Sequence, residues 1–227
     1  MMFKAKQAGT KTAHTIMVLD ASSSMQSCQD ATISGFNEFL EVQKKSKVPT
    51  NITVLTFNGT RVNVVVDNKP ANQVEPLTTK TYQPAGMTNL LDAMGTAIER
   101  ANEQLKTLKK ESRPSIEICV LTDGEENMSH KFDNETIKVM KTECEAKNWT
   151  FTFVGANIDA FAVGMKFGFT PDNTLQYNTN NMGSTLAVLA QRSEFIKAGR
   201  SAGLNASQVY ASTAFTDDQR EDATKAK

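Results

Sequence analysis

Three short segments of this chain carry side chains that could do chemistry together: Asp20-Ala21-Ser22-Ser23-Ser24, Gly86-Met87-Thr88-Asn89 and Thr122-Asp123-Gly124-Glu125. Asp20, Ser22, Ser24, Thr88 and Asp123 are the candidate metal ligands, and they offer only oxygen. Oxygen donors suit the hard cations Mg²⁺, Mn²⁺ and Ca²⁺ and do not build a thiolate or imidazole zinc site. A ring of carboxylates would cancel the charge of such an ion. Two carboxylates and three hydroxyls leave it electrophilic, able to take a further oxygen from water or from a carboxylate of another molecule. A small octahedral ion that keeps several waters fits this sparse set best, so Mg²⁺ leads, Mn²⁺ follows and Ca²⁺ comes last.

For these segments to meet, the elements around them must end at one edge of a sheet. From His14 onward, short β-branched runs alternate with stretches of helical spacing, the pattern of a sheet covered by helices on both faces. Residues 14–19 form a nearly continuous apolar run, as parallel strands do when both faces are covered, and lead directly into Asp20. Residues 115–121 lead in the same way into Thr122. In an open α/β sheet, the first strand and the next parallel one beyond the crossover flank the switch in strand order where ligands collect, so these two motifs are expected to converge. Leu91, Met94, Ile98, Ala101, Leu105 and Leu108 recur at intervals of three and four, an apolar seam on a helix that the Thr88 turn opens from the same end. Further helices are expected over residues 26–47, 134–147, 159–167 and 183–197, and strands over 51–57, 60–66, 150–154 and 174–177. Asn58-Gly59 between two strand runs is a hairpin signal, which makes those strands antiparallel and puts one at an edge. Residues 67–86, with three prolines, read as an excursion without a long element of its own.

Together, Asp20-x-Ser22-x-Ser24, Thr88 and Thr122-Asp123-Gly124 resemble the metal-ion-dependent adhesion site, or MIDAS, of von Willebrand factor type A domains. The likeness covers residues 14–200 and is nearest to small intracellular bacterial and phage members, through Gly35-Phe36-Asn37-Glu38-Phe39-Leu40, residues 121–127 and Val154-Gly155-Ala156-Asn157. It implies a doubly wound, mostly parallel α/β sheet of Rossmann-like type, with one antiparallel edge strand and helices on both faces. It also implies Mg²⁺ or Mn²⁺ bound directly by Ser22 and Ser24, and directly or through water by Asp20, Thr88 and Asp123. The activity implied is adhesion rather than catalysis. The chain would be a protein-binding module whose metal is completed by an Asp or Glu of a partner protein, with AAA+ ATPases and multi-protein assemblies as the class of partner.

Each ligand also has a plain structural reading: Ser24 and Thr88 as helix N-caps, Asp20 and Asp123 as turn residues at strand ends. Glu125 and Glu126 read as an acidic rim or as solvated loop, and Met25, Met87 and Met128 as an apolar ring around the ion or as core. The first functional rival is a haloacid-dehalogenase-like phosphotransferase, which also ends its first strand in an Asp and uses Mg²⁺. That chemistry wants a second acid two residues on, where this chain has Ser22. A serine hydrolase lacks the G-x-S-x-G elbow and a suitable histidine, since His14 begins a strand and His130 lies in a polar loop. No phosphate-cradling GxxxxGK[ST] loop occurs. The other rival is a scaffold with an idle metal site that binds through residues 183–227.

The 227 residues, 39% hydrophobic and 22% charged, read as one ordinary domain that buries a core without disulfides. Equal counts of 25 basic and 25 acidic side chains, with no basic run longer than a pair such as Lys44-Lys45, argue against nucleic acid. The longest apolar runs fall far short of the roughly 20 residues of a membrane span. Cys28, Cys119 and Cys144 are scattered and suit reduced thiols. Lys4, Lys6 and Lys11 precede no long apolar stretch, so no secretory signal is read and a cytoplasmic monomer is expected. The expected organisation is an N-terminal extension at 1–13, one domain at 14–200 and a polar, flexible tail at 201–227.

Overall fold

The computed structural model describes residues 9–59 and 61–225. Six strands form one sheet: β1 (Ala13–Asp20), β2 (Thr50–Asn58), β3 (Arg61–Pro70), β4 (Ser115–Thr122), β5 (Thr150–Ala156) and β6 (Thr174–Tyr177). Their order is β3-β2-β1-β4-β5-β6, and every pair is parallel except β2–β3. This is the doubly wound arrangement with one antiparallel edge strand. All eight residues of β1 and all eight of β4 are buried, as expected of largely apolar central strands covered on both sides. β3 is largely exposed, in keeping with an edge.

The hairpin closes at Asn58↔Arg61, with Gly59 in the left-handed region at φ 52°; Thr60, where the second strand is expected to begin, lies outside the described residues. Helices α1 (Gln29–Lys44) and α5 (Met182–Ser201) cover one face, packing Phe36, Phe39, Leu186 and Leu189 against Met17, Leu19 and Leu121. Helices α2 (Leu90–Lys106), α3 (Asn134–Ala146) and α4 (Ala160–Lys166) cover the other, where Leu91, Met94, Ile98 and Ile137 meet Ile16, Val18 and Val120. The seam of α2 stops short of Leu108, which lies beyond the helix and is 39% exposed. The helix expected from residue 26 starts later: Ser23–Cys28 is a 3-10 turn, and Cys28 at φ −122° breaks it from α1.

The tail expected to be loosely attached at 201–227 is instead helical as far as it is described. Helices α6 (Ala206–Thr213) and α7 (Asp217–Thr224) each begin with a capping box, Asn205 with Gln208 and Thr216 with Gln219. Val209, Phe215 and Ala223 are buried. The Tyr210 hydroxyl accepts the Phe151 amide at 2.7 Å, and Arg220 donates to the carbonyls of Thr174 and Pro171 at 2.8 and 2.7 Å. A polar composition hid these few apolar anchors. Residues 1–8 of the expected N-terminal extension lie outside the described residues; residue 13 already belongs to β1.

Candidate metal site

β1 delivers Asp20 to the carboxyl edge of the sheet, beside the end of β4. The side chain is fully buried, and its two oxygens are engaged on opposite sides: Oδ1 accepts the Ser22 amide at 2.7 Å and Oδ2 the Thr122 hydroxyl at 2.6 Å. One carboxylate therefore ties the two strand ends together. The Ser22 and Ser24 hydroxyls lie 2.9 Å apart, and Ser24 donates to Asp123 Oδ1 at 2.6 Å, making a continuous polar chain from the β1 loop to the β4 loop. Thr88 arrives from the third segment: its amide donates to Asn127 Oδ1 at 2.9 Å and its carbonyl accepts the Asn127 amide at 3.1 Å. A methyl group on Gly124 would lie 3.2 Å from Thr88 Oγ1 and 3.7 Å from Ser24 Oγ, so both hydroxyls converge on bare backbone. All five sequence candidates thus share one edge of the sheet, at the switch between β1 and β4.

The supports of these loops were not among the sequence candidates. Tyr82, fully buried within the proline-rich excursion, donates its hydroxyl to the Asp20 carbonyl at 2.5 Å. The Ala85 amide donates to the Ala21 carbonyl at 2.8 Å and the Ser23 amide to the Gly86 carbonyl at 3.0 Å, zipping that excursion onto the Asp20 loop. The hairpin tip presses from the other side: the Gly59 amide donates to Met87 O at 2.6 Å, and a Cβ on Gly86 would come within 3.3 Å of Gly59 N. Glu126 accepts the amides of Leu91, Met128 and Ser129 and the Ser129 hydroxyl, and Asp92 accepts the amides of His130, Lys131 and Phe132. The β4 loop is therefore strapped to the start of α2.

These contacts decide between the plain and the chemical readings of several residues. Neither Ser24 nor Thr88 is a helix cap: the α2 N-cap is Asn89, and the Leu91 and Asp92 amides are met by Glu126 and Ser129. Glu126 is an anchor, while Glu125 is exposed and begins an open groove shared with Asn157, Ile158, Asp159 and Gln176. Met25 is core, whereas Met87 is 48% exposed beside Thr88. Cys28 is buried and burial pushes its thiol up to about 11, as expected of an inert packing residue.

The electrostatics favour a cation. Burial, with a smaller push from the neighbouring Asp123, raises the Asp20 carboxyl to about 6 against the hydrogen bonds from Thr122 and Ser22. Burial also raises Asp123. Among the described residues neither carboxylate has an ion-pair partner, and Asp123 Oδ2 is buried without a hydrogen bond. Such an orphaned oxygen costs about 1–3 kcal/mol or more, a penalty that a bound cation removes. No cluster of three or more His, Cys, Asp or Glu able to hold a metal occurs among the described residues, so any ion here depends on hydroxyls as well as carboxylates. The donors present fit a hard divalent ion.

No protein-family model matches the sequence, and no curated protein matches it. Solved structures do. Proximal thread matrix protein 1 from the mussel byssus superposes with a TM-score of 0.59 at 14% identity, over 81% of this chain and 48% of that one. The pilus adhesin SpaC from Lactobacillus rhamnosus GG, in an open conformation, gives 0.59 at 12% identity, over 83% of this chain and 31% of that one. Manganese-loaded TRAP protein from Plasmodium vivax gives 0.50 at 12%, over 78% and 73%. The fold is that of a von Willebrand factor type A domain. At these identities the likeness is one of architecture, and the chain spans about half the length of the mussel protein. A further structure of that mussel protein has a zinc-occupied MIDAS motif. Type A folds in these neighbours thus hold divalent metals, zinc in one and manganese in another.

Proposed function

We propose that the chain is a non-enzymatic, divalent-cation-dependent protein-binding module. Asp20, Ser22, Ser24, Thr88 and Asp123 would hold the ion, and an Asp or Glu of a partner protein would complete it. The observation that carries this reading is the polar chain Ser22–Ser24–Asp123 ending in an unpartnered, buried Asp123 oxygen. Hydroxyls that bond to one another hold their places until an ion arrives. When bound, the ion would supply a Lewis-acidic point for an incoming carboxylate. The chain's own residues orient that point: Tyr82 and Thr122 fix Asp20, Asn127 fixes Thr88, and Gly124 leaves the approach open.

Mg²⁺ is the ion we assign, with Mn²⁺ equivalent in vitro; Zn²⁺ belongs in any comparison because a mussel neighbour carries it. An AAA+ ATPase or another multi-protein assembly in the cytoplasm remains the class of partner assigned from the motif resemblance. The phosphotransferase alternative is not favoured, since Ser22 stands where its second acid belongs and the neighbours include a matrix protein and an adhesin. Among the described residues no helix is long and apolar enough to cross a membrane. Affinity capture from cell extract tests the reading: a bound protein should be released by chelator and return with Mg²⁺ or Mn²⁺, and retention in chelator would instead favour the scaffold with an idle site.

A further inference from the structure

The sheet carries a second polar cluster at the edge away from the metal site. His14 is the second residue of β1 and Asp20 the last, so about 20 Å of strand separates them. Alternate residues of a strand share a face. His14 therefore lies with Ile16 and Val18, and Asn51 and Thr53 with Leu55 and Phe57, on the side that α2 covers. Beside the last turn of α2 a cavity of about 150 Å³ remains, with His14, Asn51, Gln104, Leu105, Leu108 and Pro114 among its walls. Two polar groups in these walls lack partners. His14, only 3% exposed, spends Nε2 on the Thr53 hydroxyl at 2.8 Å, and its Nδ1 has no hydrogen bond among the described residues. Gln104 donates Nε2 to Asp67 at 3.0 Å, which fixes the amide and leaves Oε1 as its free end, buried and unpartnered. None of the described residues that line the cavity is an acid, a lysine or an arginine, and Asp67 nearby is already held by Arg100 at 2.6 Å. Burial keeps His14 neutral, lowering it to about 4. Such walls suit an uncharged occupant.

We propose that this cavity is a binding site for a small uncharged amide, a lactam or carboxamide about the size of a benzene ring. A cavity of about 150 Å³ holds a ring of that size. The Thr53 hydroxyl accepts the Asn68 amide at 2.9 Å and gives its own proton to His14 Nε2, which leaves the neutral ring protonated on Nδ1. One amide answers both open groups: its C=O accepts from His14 Nδ1, its N–H donates to Gln104 Oε1, and its apolar part lies against Leu105, Leu108 and Pro114. The site owes nothing to the ion at the other edge of the sheet, so the two readings stand or fall separately.

Titration of the full chain with 2-pyridone, an uncharged lactam whose N–H adjoins its C=O, tests the assignment by NMR of the histidine ring nitrogens and the Gln104 side-chain amide. One saturable site should shift His14 and Gln104 and leave His130, in its exposed loop, unmoved. N-methyl-2-pyridone lacks the donor and should bind wild type about tenfold more weakly. Gln104→Leu should remove most of that preference, which a poorer fit of the methyl group alone would leave in place. No saturable shift at His14, shifts shared equally by His130, or an unchanged preference in Gln104→Leu overturns the proposal.

Discussion

Asp20 and Asp123 are buried at adjoining strand ends with hydroxyls, not lysines, for company, so position as well as residue type makes them candidate ligands. The sequence motif named all five oxygens, but it could not separate a capping hydroxyl from a coordinating one. The structure places Ser24 on Asp123 and Asn89, not Thr88, at the N-cap position of α2. Thr88→Ala should weaken Mn²⁺ binding by at least about tenfold in calorimetric titration while the metal-free protein melts as wild type does, since Asn127 holds the Thr88 backbone rather than its side chain; a variant that unfolds would restore Thr88 to a structural role. At the other end of β1, His14 lies 2.8 Å from the Thr53 hydroxyl, and burial lowers it from 6.5 to about 4 against the pull of Asp67. The unfolded chain takes up this proton before the folded one does. The contribution of neutral His14 is therefore complete above pH 6.5 and is lost as pH falls to about 4, a swing of about 3 kcal/mol. Between pH 7 and 4.5, urea unfolding should show wild type losing about 2 kcal/mol more than His14→Gln. Equal losses would contradict it.

Strands that end in the motifs were legible because central parallel strands need largely apolar runs, and the hairpin was legible because Asn58-Gly59 marks it. Loop anchoring was not. Glu126 read as an acidic rim or as solvated loop, yet its two oxygens gather three amides and a hydroxyl at the mouth of α2, a role set by a turn that only the folded backbone reveals. Tyr82 was equally hidden, because no periodicity runs through residues 74–89 to point it inward. Glu126→Ala should leave those amides unmet and cost about 1–3 kcal/mol in urea denaturation, and it should loosen Mn²⁺ binding through the Thr88 segment. Unchanged stability would show that the strap is dispensable.

Across the whole molecule, the order in which strands are added to the sheet switches sides between the parallel neighbours β1 and β4, and every candidate ligand gathers there. The far end of the sheet is closed by α6 and α7, whose anchors are few but specific: Tyr210 on β5, Arg220 on β6, and Asn181 donating to the carbonyls of Ala223 and Lys225. Composition alone made this segment look unattached, because its stabilising contacts are isolated side chains rather than an apolar stripe. Arg220→Ala should destabilise the domain by about 1–3 kcal/mol in thermal or urea unfolding, by stranding the carbonyls of Pro171 and Thr174; wild-type stability would mean that the tail is held elsewhere. The claim on which function turns is that an ion held by these loops remains open to an outside acid. Water-proton relaxation during Mn²⁺ titration measures this directly. One ion per chain with exchangeable water, displaced by a short Asp/Glu peptide and abolished in Asp123→Ala, is the expected result. Mn²⁺ that stays free, or bound Mn²⁺ whose water no carboxylate displaces, would contradict it.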